Sequence, residues 1–179
     1  MQMKSWQQAI KDSVVPGTAA AAAMYAAAAA CGRREIGSAM APVNATSHVV
    51  WGEEAAFIQK PMLRYTGVGV AIGTVATMLW AAVFEKVFGQ TIERRGIPAA
   101  LLGGAAAAGT AYVKDYYLFP RRLQPGFEKR LPARSLLYIY GAMGAGLAVG
   151  GWAASRAFAR SSRRARRPRL LAGVVRGIE

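Results

Sequence analysis

Long uncharged runs alternate with short charged segments along most of the chain. The run from Tyr65 to Phe84, YTGVGVAIGTVATMLWAAVF, has 20 residues and no charge. As a helix rising ~1.5 Å per residue it spans about 30 Å, the thickness of a bilayer's hydrocarbon core. Apolar residues occupy its whole circumference, so it offers no polar face to water. The pattern predicts an all-α fold, an integral membrane bundle of four transmembrane helices at about 14–31, 65–84, 97–113 and 135–154. A short interfacial helix at about 44–59 lies between the first and second. Residues 1–158 are then one transmembrane domain, and 159–179 a basic C-terminal tail.

The runs differ in character. Ten of the 18 residues of Val14–Cys31 are alanine. Alanine is the best helix former but gains little on entering lipid, so this span should depend on its neighbours. Pro16 lies in its first turn, where a missing N–H costs little. Gly69 and Gly73, then Gly103 and Ala107, then Gly146 and Gly150 place small residues at i and i+4 on the other three spans. Such stripes let helix backbones approach closely, and they serve equally well within one bundle or between copies. The expected partners are therefore the lipid bilayer and a homo-oligomer or another membrane protein.

Between the first two spans, Pro42 breaks the chain and Asn44 can cap a new helix. On one helix, Asn44, His48, Trp51, Ala55 and Ile58 form a single stripe that begins polar and turns apolar. Asn44, His48 and Trp51 have the residue types of a small polar site, with Glu53 or Glu54 nearby. The plainer reading is a capped interfacial helix with Trp51 at the headgroups. The link 87–96 carries Glu93, Arg94 and Arg95, and the loop 121–134 carries a Pro125-Gly126 turn signal.

Composition sharpens the membrane reading. Hydrophobic residues make up 54% of the chain, yet the formal net charge is +14. Both can hold at once when apolar blocks sit in lipid and charges lie between them. Arginine outnumbers lysine 17 to 6 and alanine is abundant, a composition of GC-rich bacterial genomes. With four spans, the N-terminus, the middle link and the tail carry thirteen Lys and Arg against ten in the other two loops. The positive-inside rule then places both termini in the cytoplasm, across a bacterial inner membrane. No cleavable signal is expected, because Met1–Ser13 is polar and the following run is too long. AAAAAC resembles a lipoprotein cleavage site but lacks its leucine.

The other candidate groups have simple explanations. Glu85 with Lys86, and Lys114 with Asp115, read as solvated span ends. Arg163, Arg164, Arg166, Arg167 and Arg169 should contact anionic lipid headgroups. The tail has no aromatic interleaving from Arg160 to Arg176, so nucleic acid is not an expected partner. One cysteine, Cys31, allows no internal disulfide, and one histidine, His48, lacks partners at metal-ligand spacing. Gly103-Gly104 follows no strand and precedes no phosphate-binding Lys, so it is not a nucleotide loop. Asn44-Ala45-Thr46 fits a glycosylation sequon, a motif common by chance. No nucleophile–base pair is evident, so the expectation is no enzyme, no metal and no cofactor.

Three segments carry a resemblance: APVNATSHVVWG at 41–52, WAAVFEKVFG at 80–89 and DYYLFPRRLQPGFEKRL at 115–131. Together they resemble a group of small, uncharacterised bacterial inner-membrane proteins with about four spans. The resemblance implies a membrane location and a helical fold, and it carries over no activity and no functional residue. The expected function is an accessory or structural membrane bundle. The alternative is a small transporter or channel subunit, an oligomer with a pathway lined by Thr66, Thr74, Thr77 or the His48 stripe.

Overall fold

The computed structural model describes residues 3–175, and the side chains of residues 3–160. Seven α-helices and several short 3-10 and π turns make up the described chain, with no strand among these residues. They are α1 (Trp6–Asp12), α2 (Val14–Ile36), α3 (Ala41–Ala45), α4 (His48–Trp51), α5 (Val68–Arg95), α6 (Ile97–Val113) and α7 (Ala133–Val175). The long helices α2, α5, α6 and α7 run alternately up and down. Among the described residues three stretches are long and apolar enough to cross a membrane: Val14–Ile36, Leu63–Arg95 and Ala133–Arg160. α6 has 17 residues, about 25 Å of helix, and continues into a π turn at Lys114–Leu118.

The interior is built from small side chains at the helix crossings. α7 lies along α2, where a Cβ added at Gly146 would fall 2.5 Å from the Ala20 Cα, and one at Gly150 2.5 Å from the Pro16 Cα. α6 crosses α7 where Gly104 and Gly144 face one another. Gly103 instead lies against the Phe84 and Phe88 rings of α5, and Gly73 against the Tyr25 hydroxyl of α2. Gly69 meets the Val43 carbonyl of α3 and not another long helix. Phe84, Ile92, Ile139 and Leu147 are the largest apolar side chains that are fully enclosed.

The outward surface has the opposite character. Val75, Leu79, Leu101, Leu102, Leu137 and Val149 are all exposed, with Leu102 at 73%. A protein folded in water buries its large aliphatic chains first. Here alanine and glycine fill much of the inside while leucine and valine face out, which suits a hydrocarbon solvent.

Three expectations about element boundaries change. The helix predicted at 44–59 is broken into α3, α4 and a 3-10 turn at Glu53–Phe57. Gly52 (φ 86°, ψ 176°) turns the chain out of the helix, a conformation that glycine adopts at little cost. The span predicted to end at Phe84 continues as helix to Arg95, so most of the link 87–96 is helical and only Gly96 turns. Charge ended the apolar run there but not the helix, because Glu85 finds a buried partner. Likewise α7 does not stop at Ala154, and the basic segment continues the same helix to Val175. The arginines at 163, 164, 166, 167 and 169 lie outside the residues whose side chains are described.

Candidate functional site

Polar groups gather at both ends of the bundle. At one end the segments 37–64 and 119–132 fold over the helices as a cap. Asn44 is fully buried and acts as its hub. Its Nδ2 donates to the carbonyls of Ile58 at 2.9 Å and Lys60 at 3.0 Å, while its Oδ1 accepts from the Thr66 Oγ1 at 2.7 Å. Ser47 Oγ donates to the Asn44 carbonyl at 2.7 Å, and Ser38 Oγ to that of Gln59 at 2.7 Å. Asn44 therefore sits inside α3 and satisfies a later extended segment; it does not cap the helix that follows.

His48 is 1% exposed. Its Nδ1 lies 2.8 Å from the Ala45 carbonyl, which can only accept, so Nδ1 carries the proton. Nε2 is buried with no hydrogen-bond partner. Above it runs the second loop. Gly126 (φ 87°) presses so close that a Cβ there would lie 2.5 Å from the Ala45 oxygen and 3.0 Å from His48 Nδ1. Glu128 comes from the same loop, has one oxygen without a partner, and is pushed above the usual carboxylate range by burial. Lys129 bridges to Glu53 at 2.7 Å, which holds that carboxyl below its usual range. Trp51, the third residue of the predicted site, is 41% exposed. It donates to the Arg64 carbonyl at 3.2 Å and stacks under the Arg64 guanidinium at 4.4 Å. Asn44 and His48 thus share one enclosed cap, and Trp51 stands at its rim.

The opposite end holds a cluster that sequence reasoning missed. The Lys4 ammonium donates to Asp12 at 2.8 Å, Glu85 at 2.9 Å and Glu93 at 2.9 Å. Glu85 is 3% exposed, not a solvated span end. Burial works to lower the Lys4 pKa, but its bonds to Asp12, Glu93 and Glu85 outweigh it and hold the ammonium above the usual lysine range. The N-terminal segment is tied down further by two reciprocal bonds, Lys4 N–H to the Lys86 carbonyl at 3.1 Å and Lys86 Nζ to the Lys4 carbonyl at 3.0 Å. Gly89 makes room for the pair, since a Cβ there would lie 2.5 Å from both Glu85 Oε2 and Lys4 Cε. A signal was present: Glu85, Gly89 and Glu93 recur every four residues, one face of a helix that outlasts the apolar run. Only the folding back of α1 brings Lys4 to it.

Asp115 is likewise not a free span end, because the Tyr140 hydroxyl donates to it. The Tyr112, Tyr116 and Tyr140 rings pack around that contact with centroids 5.0 to 5.8 Å apart. Among the described residues no three His, Cys, Asp or Glu side chains are grouped to hold a metal ion. With this geometry in hand, comparison with protein-family models, with curated proteins and with solved structures finds no match to the chain.

Proposed function

We propose that the chain is a four-span integral protein of the bacterial inner membrane with an accessory or structural role, α6 being the fourth span. The observation that carries this reading is the inverted distribution of side-chain size, small residues within and large aliphatic ones outside. The continuation of α6 through the π turn extends its helical stretch from Ile97 to Leu118, about 33 Å. The tight glycine crossings leave little space between helices for a solute. Thr66 and Thr77 point to the same conclusion: Thr66 is engaged with Asn44, and the Thr77 hydroxyl donates to the Gly73 carbonyl at 2.7 Å. These hydroxyls serve the bundle itself. The excess of Lys and Arg at the end shared by α1 and the emerging part of α7 supports cytoplasmic termini.

Extraction and pull-down test the reading. The chain should stay with membranes through an alkaline carbonate wash, and purification in mild detergent should recover a stoichiometric membrane-protein partner or a homo-oligomer. A compact monomer dispersed without detergent would overturn the membrane assignment. Substrate flux by the purified chain in vesicles would replace the accessory role with transport.

A further inference from the structure

The N-terminal segment carries two stripes of the same spacing on opposite edges. Lys4, Gln8 and Asp12 recur every four residues and bond to one another: the Lys4 ammonium and the Gln8 amide both donate to Asp12, at 2.8 and 2.7 Å. This edge turns toward Glu85 and borders a cleft of about 690 Å³. Trp6, Ile10 and Val14 recur at the same interval on the other edge, and each is more than half exposed. Ala9 and Ser13, between the two edges, are buried against the bundle. The helix α1 cannot roll to hide its apolar edge. The Lys4 backbone exchanges two bonds with Lys86, and the Lys4 ammonium holds Glu85 and Glu93.

We infer that α1 is an interfacial helix that dips its Trp6, Ile10 and Val14 edge into the membrane surface, with acyl chains against that edge and lipid phosphates against Lys11 and Lys86. Three observations name lipid as the occupant. The edge is continuous with a lipid-facing surface, because Val14 opens the first stretch apolar enough to cross a membrane and Val15 beside it is also exposed. It stands at the right depth, since Lys86, to which it is tied, comes just after the uncharged run 65–84 ends. Its charge is complementary to phosphate: Asp12, Glu85 and Glu93 are drawn onto Lys4, whereas Lys11 is exposed and the Lys86 ammonium lies 4.9 Å from the centre of the Trp6 ring. A short amphipathic helix with tryptophan on its apolar side and lysines beside it settles at a headgroup boundary. A second copy docked through the same edge would set these lysines against their equivalents. The inference rests on the membrane reading above and adds to it a lipid contact outside the spans.

Tryptophan fluorescence of the full chain in phospholipid vesicles tests it, with Trp51, Trp80 and Trp152 replaced by Phe so that Trp6 alone reports. Lipids brominated high on the acyl chain should quench Trp6 about twofold more than lipids brominated near the chain end, as for a ring about 5–10 Å below the headgroup boundary. Val75→Trp, in a chain without the native tryptophans, reports the membrane reading separately, and there the deep bromines should quench more. Trp6 as open to aqueous acrylamide as in the denatured chain, with Val75→Trp still quenched by lipid, would overturn the interfacial helix and leave the membrane reading standing. Trp6 shielded from both acrylamide and bromolipid would put protein over the edge, a second copy or another chain, and overturn it too. Val75→Trp untouched by bromolipid would sink the membrane reading and the inference with it. Thiol labelling needs no tryptophan replacement. With Cys31→Ser, Ile10→Cys should react with a membrane-impermeant maleimide about tenfold more slowly than Gln7→Cys, the factor for roughly two methylenes' worth of transfer into lipid. Equal rates at the two positions would overturn the assignment.

Discussion

At the cap, Asn44 and His48 are enclosed by backbone: most of their bonds run to carbonyls within a few turns of chain, and a glycine loop closes over them. At the other end, Lys4 and Glu85 are 81 residues apart in sequence and joined by full charges beside an open cleft. Both ends gather polar groups, yet the cap satisfies its buried dipoles from carbonyls and leaves its ion pair, Lys129 with Glu53, at the surface, while the cluster buries the charges of Lys4 and Glu85. A dipole satisfied locally ties one loop. An ion pair made at long range ties the N-terminus to the middle of the chain, and its loss leaves a charge with nowhere to go.

The comparison breaks hardest at Lys4. Lys4→Met strands Glu85 without its cation and should cost about 3–5 kcal/mol of unfolding free energy in micelles, the usual cost of breaking a buried pair. The double variant Lys4→Met/Glu85→Met should recover most of it. A double as weak as the single would mean that the pair is not the source of the loss.

In the cap the expected cost is smaller. Asn44→Leu orphans the Ile58 and Lys60 carbonyls and should cost about 1–3 kcal/mol. Asn44→Asp keeps the shape but loses both donors, so it should behave no better than leucine; a neutral Asp variant would contradict the hub assignment. Gly126→Ala comes next, at about 1–2 kcal/mol, from its left-handed backbone conformation and its close contact with Ala45. Denaturant midpoints in detergent measure each.

The smallest effect is in pH, and its sign separates the two ends. Glu53 is held below its usual range by Lys129, so its contribution is present above the ordinary Glu pKa and fades as pH falls through the lowered folded value. Lys4 is held above its usual range, so its contribution is complete below the ordinary lysine pKa and fades only as pH rises through the raised folded value. Acid should therefore loosen the Glu53–Lys129 tie of the cap, while Glu128, held above its usual range by burial, gains as pH falls, and strong alkali should loosen the cluster. Hydrogen exchange of segment 44–59 against segment 3–12 reads the two separately, and Glu53→Gln should remove the acid response. Equal loosening of both segments in acid would erase the distinction.

Much of the architecture was legible in the residues. α6 begins where its apolar run does, at Ile97, because Pro98 in the first turn punctuates it locally, whereas past Val113 the helical backbone runs on through the π turn to Leu118. The other boundaries were less legible for a physical reason. A charge marks where lipid ends but not where hydrogen-bonded helix ends, so α5 runs eleven residues past Phe84 to Arg95. The stripe from Asn44 to Ile58 read as one helix because periodicity does not register that Gly52 leaves the helical region. His48 and Asn44 were singled out by residue type, but their burial under Gly126 depends on a loop some 80 positions later.

By itself the sequence determined the solvent and the helical class, since the transfer of an apolar run and the propensity of an alanine-rich segment are local properties that add along the chain. Only the tertiary structure decided which charge is buried, which glycine meets a backbone, and which polar atom is left without a partner. Those depend on what another segment brings within 3 Å, and nothing in either segment alone encodes that meeting.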